Sequence, residues 1–388
     1  MKRITPTVVE IDLEALRYNY RQLRGKLPSH VRALCVVKSN AYGHGAQRVA
    51  KTLQDEGVDF FGVGTIDEAM DLREASVKRP ILALLGICDG IGSGINEDHF
   101  ETLTRYQITP VLYDLETAEK LDRHLIRQKK KFPVHIKIDT GMTRLGVLPK
   151  KFEAFCERLK SFTMLEPQGL LTHLADAADP TFTKKQMRTF QEMIVLFEEK
   201  LPLQVERYYH ISNSQGIFDR ITDPSSDRSG GQWLSRMGIA LYGAYPLDRD
   251  RKIVDLKPVM SWKSKIIQLK EVPAKTSVSY NRTFVTKKPS RIGVIPVGYA
   301  DGYPRALSNQ SRVLVRGRSV PVAGIVCMDL MMIDVTSVPE ARAGDEVVLI
   351  GRQGKEEIRA DELAKLGKTI SYEIFCRVSP RVPRVYRA

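Results

Sequence analysis

The stretch Ala33-Leu-Cys-Val-Val-Lys38-Ser-Asn-Ala-Tyr-Gly-His-Gly45 contains the first full strand and turn of a repeating pattern. Its five apolar residues predict a buried strand, Lys38 interrupts the run, and two glycines lead into a helical pattern at 46–56. A shorter strand at about 7–11 and a helix from Asp12 precede it. A buried strand that leads into a helix is the unit from which α/β proteins are built.

The same unit recurs along most of the chain. Asp67 and Asp114 occupy predicted N-cap positions, and Gly57 a predicted C-cap position. Eight strand–helix units within about 250 residues predict a (β/α)8 barrel, and an open doubly wound sheet is the alternative that the periodicity leaves open. The apolar runs start near Ala33, Phe60, Ile81, Thr109, Val134, Gln168, Arg207 and Met237, and helical patterns include 46–56, 67–75, 115–127, 151–161 and 184–200.

The pattern changes after about Ile253. Short strand-like runs then follow one another with glycine and proline turns, and only 361–366 has a helical pattern. We therefore predict an α/β protein with an N-terminal (β/α)8 TIM barrel at 1–246 and a C-terminal mainly-β domain at 247–388. The first strand, at about 7–11, is a candidate to pair with the β domain.

The composition argues against several classes of protein. The 388 residues are 43% hydrophobic, and 60 lysines and arginines exceed 46 acidic residues to give a net charge of +14. No apolar stretch approaches the roughly 20 residues of a membrane span, and acidic residues follow the basic start where a signal peptide is apolar, so we expect a cytoplasmic protein without a membrane partner. Five scattered cysteines and seven unpaired histidines indicate neither disulfides nor a metal site. One short basic run, 129–131, is too little to predict nucleic-acid binding.

Polar residues follow the predicted barrel strands at the ends where barrel active sites lie. Lys38 ends one strand, where desolvation would lower its pKa and make it a candidate Schiff-base amine. Arg144, His173 and Arg236 follow or end other strands, close to a serine and glycine composition that is typical of phosphate binding. Each residue alone fits a structural role, whereas their meeting at one barrel mouth predicts a functional site.

Four segments together resemble the alanine racemases, and the resemblance covers essentially the whole chain in the same order. It implies a pyridoxal 5′-phosphate cofactor, L- and D-alanine as substrates, and a homodimer whose active sites are shared across the interface. It also implies that the D-alanine serves peptidoglycan synthesis. The segments are Val37-Lys-Ser-Asn-Ala-Tyr-Gly-His-Gly45, Asp139-Thr-Gly-Met-Thr-Arg-Leu-Gly146, Arg236-Met-Gly-Ile-Ala-Leu-Tyr-Gly243 and Gly298-Tyr-Ala-Asp-Gly-Tyr-Pro-Arg305.

The resemblance further implies a role for individual residues. Lys38 would hold the cofactor and act as one catalytic base, and Tyr280 would be the second base, supplied to the barrel of the partner subunit. Arg144 and the backbone of Met328 would hold the substrate carboxylate, with Tyr299 at the side-chain pocket. The cofactor-binding positions would be Lys38, Tyr42, His173, Asn213, Ser214, Arg236, Gly238, Ile239 and Tyr372.

Two bases suit racemisation, because the reaction removes a proton from one face of Cα and returns one to the other. By the same resemblance Arg236 would face the pyridine nitrogen. Lys137 matches a position that is often carbamylated and bonded to the arginine of the carboxylate grip. Burial beside a like charge favours the neutral amine that such a modification needs.

The chain departs from the family pattern in three places. Ser39 stands where alanine is common, and Asn281 follows the second base where glycine is common. The run 172–179 is one residue longer than usual, which leaves the roles of Asp176 and Asp179 open.

Three alternatives to an alanine racemase remain. The nearest is a racemase of serine or of several small amino acids, since an apolar pocket discriminates weakly against one hydroxyl. A related amino-acid decarboxylase would place a carboxylate, rather than Arg236, at the pyridine nitrogen. A non-catalytic carrier of the cofactor would lack the β domain and therefore a counterpart of Tyr280.

Overall fold

A strand and a helix precede the barrel. Strand β1 (Val8–Asp12) leads into helix α1 (Leu13–Arg24), and the Asp12 carboxylate accepts a hydrogen bond from the Ala15 N–H at 2.8 Å. This N-cap satisfies one of the free amides of the first turn, so the helix starts where the sequence predicts it.

The computed structural model describes residues 5–88, 94–202, 206–221 and 230–388.

Eight parallel strands close into a barrel. The first two pair with Leu34 opposite Phe60, and the last pairs back to the first with Arg236 opposite Leu34. This closure confirms the predicted (β/α)8 barrel and excludes the open sheet, which would leave two edge strands unpaired. The strands are β2 (Arg32–Val36), β3 (Phe60–Val63), β4 (Ile81–Ala83), β5 (Ile108–Leu112), β6 (Phe132–Lys137), β7 (Leu165–Leu171), β8 (Tyr208–His210) and β9 (Gln232–Met237).

Helices cover the outside of the barrel through apolar faces. In the helix that follows β2, the buried Val49, Ala50 and Leu53 have helical spacing. The strands beneath are buried on both faces, which explains why β3 and β4 are apolar throughout. The helical segments are α2 (Lys38–Tyr42), α3 (Ala46–Asp55), α4 (Ile66–Glu74), α5 (Glu97–Tyr106), α6 (Leu115–Gln128), α7 (Pro149–Leu159), α8 (Pro180–Lys200) and α9 (Ser214–Phe218).

The predicted start of the eighth strand was wrong. Met237 is the last residue of β9 rather than its first. The buried polar residues Ser235 and Arg236 interrupt the apolar run by which the other strands were recognised. A strand that contributes polar side chains to the barrel interior therefore carries a weaker sequence signal than its neighbours.

The predicted cap of α4 was also wrong. Thr65 is the N-cap, and its hydroxyl oxygen accepts a hydrogen bond from the Glu68 N–H at 3.2 Å. Asp67 lies inside the first turn, where its charge still favours the positive end of the helix. Asp114 caps α6 as predicted, since it accepts from the Thr117 N–H at 2.7 Å.

The C-terminal part of the chain is mainly β, as predicted. One sheet has the strand order β16-β15-β18-β10-β1-β20, with β19 beside β18, and a second has the order β11-β14-β17. Two helices, α10 (Ala360–Leu366) and α11 (Ser371–Cys376), follow these strands, the second of which was not predicted. The strands are β10 (Met260–Lys265), β11 (Gln268–Val272), β12 (Ser277–Val278), β13 (Phe284–Val285), β14 (Ser290–Ile295), β15 (Arg312–Val315), β16 (Arg318–Pro321), β17 (Met331–Asp334), β18 (Glu346–Gln353), β19 (Glu356–Ile358) and β20 (Arg384–Arg387).

The first and last described strands lie together in the sheet of the β domain. β1 pairs antiparallel to β10, with Val9 opposite Trp262, and parallel to β20, with Val9 opposite Arg384. The N-terminal strand is thus part of the second unit, while the helix that follows it packs on the barrel side against the segment Ile239–Tyr242. In the described segments, no helix is both long and apolar enough to cross a membrane.

The side chain of Asn19 joins the two parts of the structure. Its amide nitrogen donates to the carbonyls of Leu241 at 3.0 Å and Lys257 at 2.7 Å, and its oxygen accepts from the Lys257 N–H at 2.8 Å. Asn19 is fully buried. The barrel end and the segment that enters the β domain therefore satisfy their backbone groups through one side chain.

We expect Asn19→Ala to lower the free energy of unfolding by about 2–4 kcal/mol, because it leaves one buried and two partly buried backbone groups without their side-chain partner. Urea denaturation followed by circular dichroism measures the change. Tyr18→Phe is the matched control, since it removes only the exposed hydrogen bond to Asp255 from the same helix. Equal effects of the two substitutions would contradict the linking role of Asn19.

Candidate active site

A cavity of ≈ 340 Å³ opens at the carboxyl ends of the barrel strands. Most of the predicted site residues line it, and they come from five barrel strand ends together with α11 of the β domain. Because the carboxyl ends of parallel barrel strands meet at one face, residues far apart in sequence converge there. The predicted residues in the lining are Lys38, Tyr42, Lys137, Arg144, His173, Asn213, Ser214, Arg236, Gly238, Ile239 and Tyr372.

Lys38 is followed by an unusual turn. Four successive residues, Ser39 to Tyr42, have φ angles between 51° and 54°, so the segment winds in the left-handed sense. Each such residue costs roughly 1–2 kcal/mol when it is not glycine. Tyr42 ends the turn, packed 5.0 Å from the ring of Tyr242 and 5.9 Å from that of Tyr372. The strain is thus located between the lysine and one wall of the cavity.

Arg236 is surrounded by hydrogen-bond acceptors, and no acidic side chain among the described residues forms an ion pair with it. Its guanidinium donates to the carbonyls of Thr172 at 2.8 Å, His210 at 2.9 Å and Ile211 at 3.1 Å. It also lies 3.0 Å from Nδ1 of His173. Burial and the nearby Arg144 lower the pKa of Arg236 to about 10, which leaves it protonated at neutral pH as a pure hydrogen-bond donor.

Two further histidines, which the sequence analysis did not assign to the site, support Arg236 from below. His210 lies with Nδ1 3.3 Å from the guanidinium and Nε2 2.9 Å from Nδ1 of His135. Because the guanidinium can only donate, Nδ1 of His210 accepts and its Nε2 proton is donated to His135. Burial lowers the pKa of His135 to about 3, so this histidine stays neutral at physiological pH. The signal for His135 was its spacing of two residues from Lys137, which puts both on one strand face.

Four cations surround the cavity, and no acidic side chain is among its described lining residues. Burial, and then Arg144, lower the pKa of Lys38. Burial, Arg144 and Arg236 lower the pKa of Lys137 to about 8. In the described part of the chain none of the four forms an ion pair, and such an arrangement fits an anionic ligand.

Arg144 is carried by a loop that folds around one carboxylate. Asp139, just beyond β6, accepts hydrogen bonds from the N–H groups of Gly141, Met142 and Thr143 at 2.9–3.0 Å. The side chain of Asp139 replaces backbone partners for the turn. Arg144 is consequently held at the rim of the cavity, on the exposed side.

Hydroxyl and amide groups line another wall of the cavity. We call Tyr42, Ser214, Gly238, Ile239 and Tyr372 the donor cradle. Ser214 Oγ accepts from the Gly238 N–H at 2.9 Å, which leaves its own proton to donate. A Cβ atom at residue 238 would lie 3.3 Å from the Tyr42 hydroxyl and 3.4 Å from Ser214 Oγ, so glycine keeps the space open. Burial raises the pKa of Tyr372 to about 12 and that of Tyr42 further, so both hydroxyls remain neutral donors. Such a donor set fits a phosphate dianion.

Asn213 and the two aspartates of unresolved role have local structural partners. The Asn213 side chain caps α9 by accepting from the Gly216 N–H at 3.0 Å, at the edge of the cavity. Asp179 caps α8, with its carboxylate accepting from the N–H groups of Thr181 and Phe182. Asp176 accepts from the Ala178 N–H at 3.0 Å. The end of the run 172–179 forms a turn before α8.

Three predicted site residues do not reach the cavity of their own chain. Tyr280 is 68% exposed, Met328 53% and Tyr299 41%, all on the β domain. They form one surface, since Tyr299 donates its N–H to the Cys327 carbonyl at 3.0 Å and Ser279 Oγ donates to the Ile325 carbonyl at 2.7 Å. None of the three is among the described residues that line the cavity beside Lys38.

Comparison with known proteins gives a consistent result. The chain matches the family model "Alanine racemase, N-terminal domain" over residues 11–246 and "Alanine racemase, C-terminal domain" over 259–386. It is 43% identical to an alanine racemase of Halothermothrix orenii, covering 100% of this chain and 98% of that protein. It is 44% identical to one of Syntrophobacter fumaroxidans, covering 95% and 94%. The crystal structure of alanine racemase from Streptomyces lavendulae superposes with a TM-score of 0.89 at 30% identity, over 100% of this chain and 98% of that one.

The burial of Lys137 predicts a pH-dependent stability. Its pKa of about 8 in the folded protein lies below the ordinary 10.5, so folding is opposed wherever the native state must keep the ammonium. In ligand-free protein without carbon dioxide, Lys137→Met should raise the free energy of unfolding most below pH 8. The gain should shrink as the pH rises from 8 to 10.5.

Denaturant melts across this pH range measure the difference between the two proteins. Lys151→Met, at an exposed position of α7, is the matched control. A difference for Lys137→Met that stays constant from about pH 7 to 10.5 would contradict the effect of burial on the amine.

Proposed function

The chain belongs to the alanine racemase family, and on this premise we propose that it interconverts L-alanine and D-alanine with pyridoxal 5′-phosphate as its cofactor. The observation that carries the proposal is the cavity itself. It combines a desolvated lysine amine with a donor cradle and has no described acidic side chain in its lining. An amine for covalent attachment and an anion site on one wall match an aldehyde cofactor that carries a phosphate.

The residues of the cradle would hold the phosphate. Tyr42, Ser214 and Tyr372, with their hydroxyls, and the backbone of Gly238 and Ile239 line that wall of the cavity. Lys38 would bind the cofactor covalently, with Asn213 at the edge of the same wall. When bound, the cofactor withdraws electron density from Cα of the amino acid and makes its proton acidic.

Arg236 would donate a hydrogen bond to the pyridine nitrogen. It cannot act as an acid at neutral pH, and its donors are fixed by the carbonyls beneath it and by His173. A decarboxylase of the related architecture would use a carboxylate at this position, so Arg236 favours a racemase. The hydrogen bonds to these carbonyls and to His173 would hold the guanidinium in its orientation toward the ligand.

Lys38 and Tyr280 would move the proton. The lowered pKa of Lys38, caused by burial and Arg144, leaves more of its Nζ in the neutral form that accepts a proton from Cα. Tyr280 Oη would act on the opposite face, and its exposure supports a position in the partner's site. We accordingly propose a two-base mechanism in a homodimer with shared active sites.

The exposed Arg144 would hold the substrate carboxylate, together with the backbone of Met328 supplied by the other subunit. Tyr299 and Tyr372 would narrow the side-chain pocket and favour alanine over serine. Lys137 would carry a carbamate that pairs with Arg144, since a pKa of about 8 leaves part of the amine neutral near pH 7–8. A carbamate would remove the pH-dependent penalty described above when bicarbonate is added.

The proposed place of the enzyme is the cytoplasm, where its D-alanine would supply peptidoglycan synthesis. A stereospecific assay of purified, cofactor-loaded protein with alanine, serine and other small amino acids tests the activity. We expect racemisation of alanine in both directions, weaker turnover of serine, and loss of both in Lys38→Ala. Carbon dioxide release or turnover of serine alone would favour one of the alternatives, and no racemisation of any amino acid would overturn the proposal.

Mixing two inactive variants tests the shared site. Tyr280→Phe keeps Lys38, and Lys38→Ala keeps Tyr280, so each heterodimer would contain one site with both wild-type bases. Random exchange of subunits should restore about a quarter of the wild-type activity, because half of the dimers are mixed and half of their sites are intact. Tagged subunits confirm exchange, and no recovery in verified heterodimers would place Tyr280 in the site of its own chain.

A further inference from the structure

The carboxylate of Glu68 joins two elements on neighbouring barrel units. As the third residue of α4, it accepts hydrogen bonds from the Gly64 N–H at 2.7 Å and the Thr65 N–H at 3.4 Å, which completes a capping box. Its other oxygen accepts a hydrogen bond from the Ser39 N–H at 2.5 Å. A helix cap does not require this second contact, which reaches across from β3 to the turn after β2.

The turn that Glu68 contacts is the strained one. Ser39 is its first residue, and the left-handed φ angles continue to Tyr42. A strained backbone persists only where its surroundings over-determine it. The Gly43 N–H donates to the Ser39 carbonyl at 2.9 Å within the turn, and the Arg384 Nε–H donates to the Gly43 carbonyl at 3.0 Å at its end. The Glu68 carboxylate restrains the start of the turn from outside.

Packing leaves little freedom at this contact. A Cβ atom at residue 64 would lie 3.1 Å from Glu68 Oε2 and 3.8 Å from Lys38 Cβ, so the carboxylate and the lysine stem flank the same glycine. Arg144 and Arg236 lower the pKa of the Lys38 amine, whereas Glu68 and Cys376 raise it, and Lys137 is a further nearby cation. Glu68 is the carboxylate in this set, and its charge partly offsets the lowering of the Lys38 pKa.

We propose that Glu68 is a positioning residue for Lys38: by holding the Ser39 amide, its carboxylate fixes the left-handed turn that directs the lysine into the cavity. This inference rests on the proposed function, because it takes Lys38 as the residue that binds the cofactor. The carboxylate that caps α4 thus also joins the end of β3 to the start of the left-handed turn at Ser39–Tyr42.

Four variants separate positioning from capping. Glu68→Gln removes the charge, and Glu68→Asp keeps it but shortens the side chain that must reach both amides. Thr65→Ala weakens the same capping box without touching Ser39, and Asp67→Asn removes a neighbouring carboxylate of the first turn. The last two are controls for helix stability and for charge.

The first readout is hydrogen exchange of the 38–42 segment in the full-length holoenzyme. A hydrogen bond to a charged group is strong enough that its loss should speed exchange about tenfold or more in both Glu68 variants, with less than about a twofold change in Thr65→Ala. The second readout is the rate at which cofactor-free protein captures pyridoxal 5′-phosphate as a borohydride-fixed adduct. We expect it to fall about tenfold in the Glu68 variants and to stay within about twofold in both controls.

Equal changes in Thr65→Ala and Glu68→Gln would overturn the proposal, because the cap alone would then explain them. Unchanged exchange and capture in both Glu68 variants would overturn it as well, since the turn would be self-supporting. Fixation of the cofactor on a lysine other than Lys38 would instead contradict the proposed function. The exchange comparison does not depend on that assignment and still tests the contact with Ser39.

Discussion

The guanidinium of Arg236 is buried among carbonyl oxygens with no described acid as its partner, and much of the site depends on this uncompensated charge. A buried cation is costly unless its donors are satisfied and an anion comes near. Backbone carbonyls at the ends of β7 and β8 satisfy the donors of Arg236. The lowered pKa values of His173 and His210 keep these histidines neutral, so they add no further positive charge. A negatively charged ligand would supply the charge that the described lining lacks.

The architecture assembles these cations from remote parts of the chain. Parallel strands bring Lys38, Lys137 and Arg236 to one mouth, and α11 of the β domain adds Tyr372 to the cradle. The β domain is held in place by β1 and by Asn19, so the wall it contributes is fixed relative to the barrel. Tyr280, Met328 and Tyr299 of the β domain are exposed instead, which supports the proposed completion of the site by a second subunit.

Periodicity predicted the barrel and the β domain because buried parallel strands are apolar throughout and their helices are amphipathic. It failed at β9, where the buried polar residues Ser235 and Arg236 interrupt the apolar run, and at α4, where the cap depends on a hydroxyl rather than a charge. Motifs located Lys38, Arg144 and Arg236, since residue type at a strand end carries the signal. They did not reveal His135, His210 or Glu68, whose contacts join different units of the barrel.

We infer that the cavity binds a phosphate-bearing aldehyde, and that charge complementarity is the main source of the stability which the protein gains on binding. The most direct measurement is the thermal midpoint of cofactor-free protein with equal concentrations of pyridoxal 5′-phosphate or pyridoxal, which share ring and aldehyde but differ in the phosphate. We expect a large rise with the phosphate ester and a much smaller one with pyridoxal, since only the former places a dianion on the donor cradle of a cavity whose charged side chains are cations. Equal rises with the two compounds would contradict it.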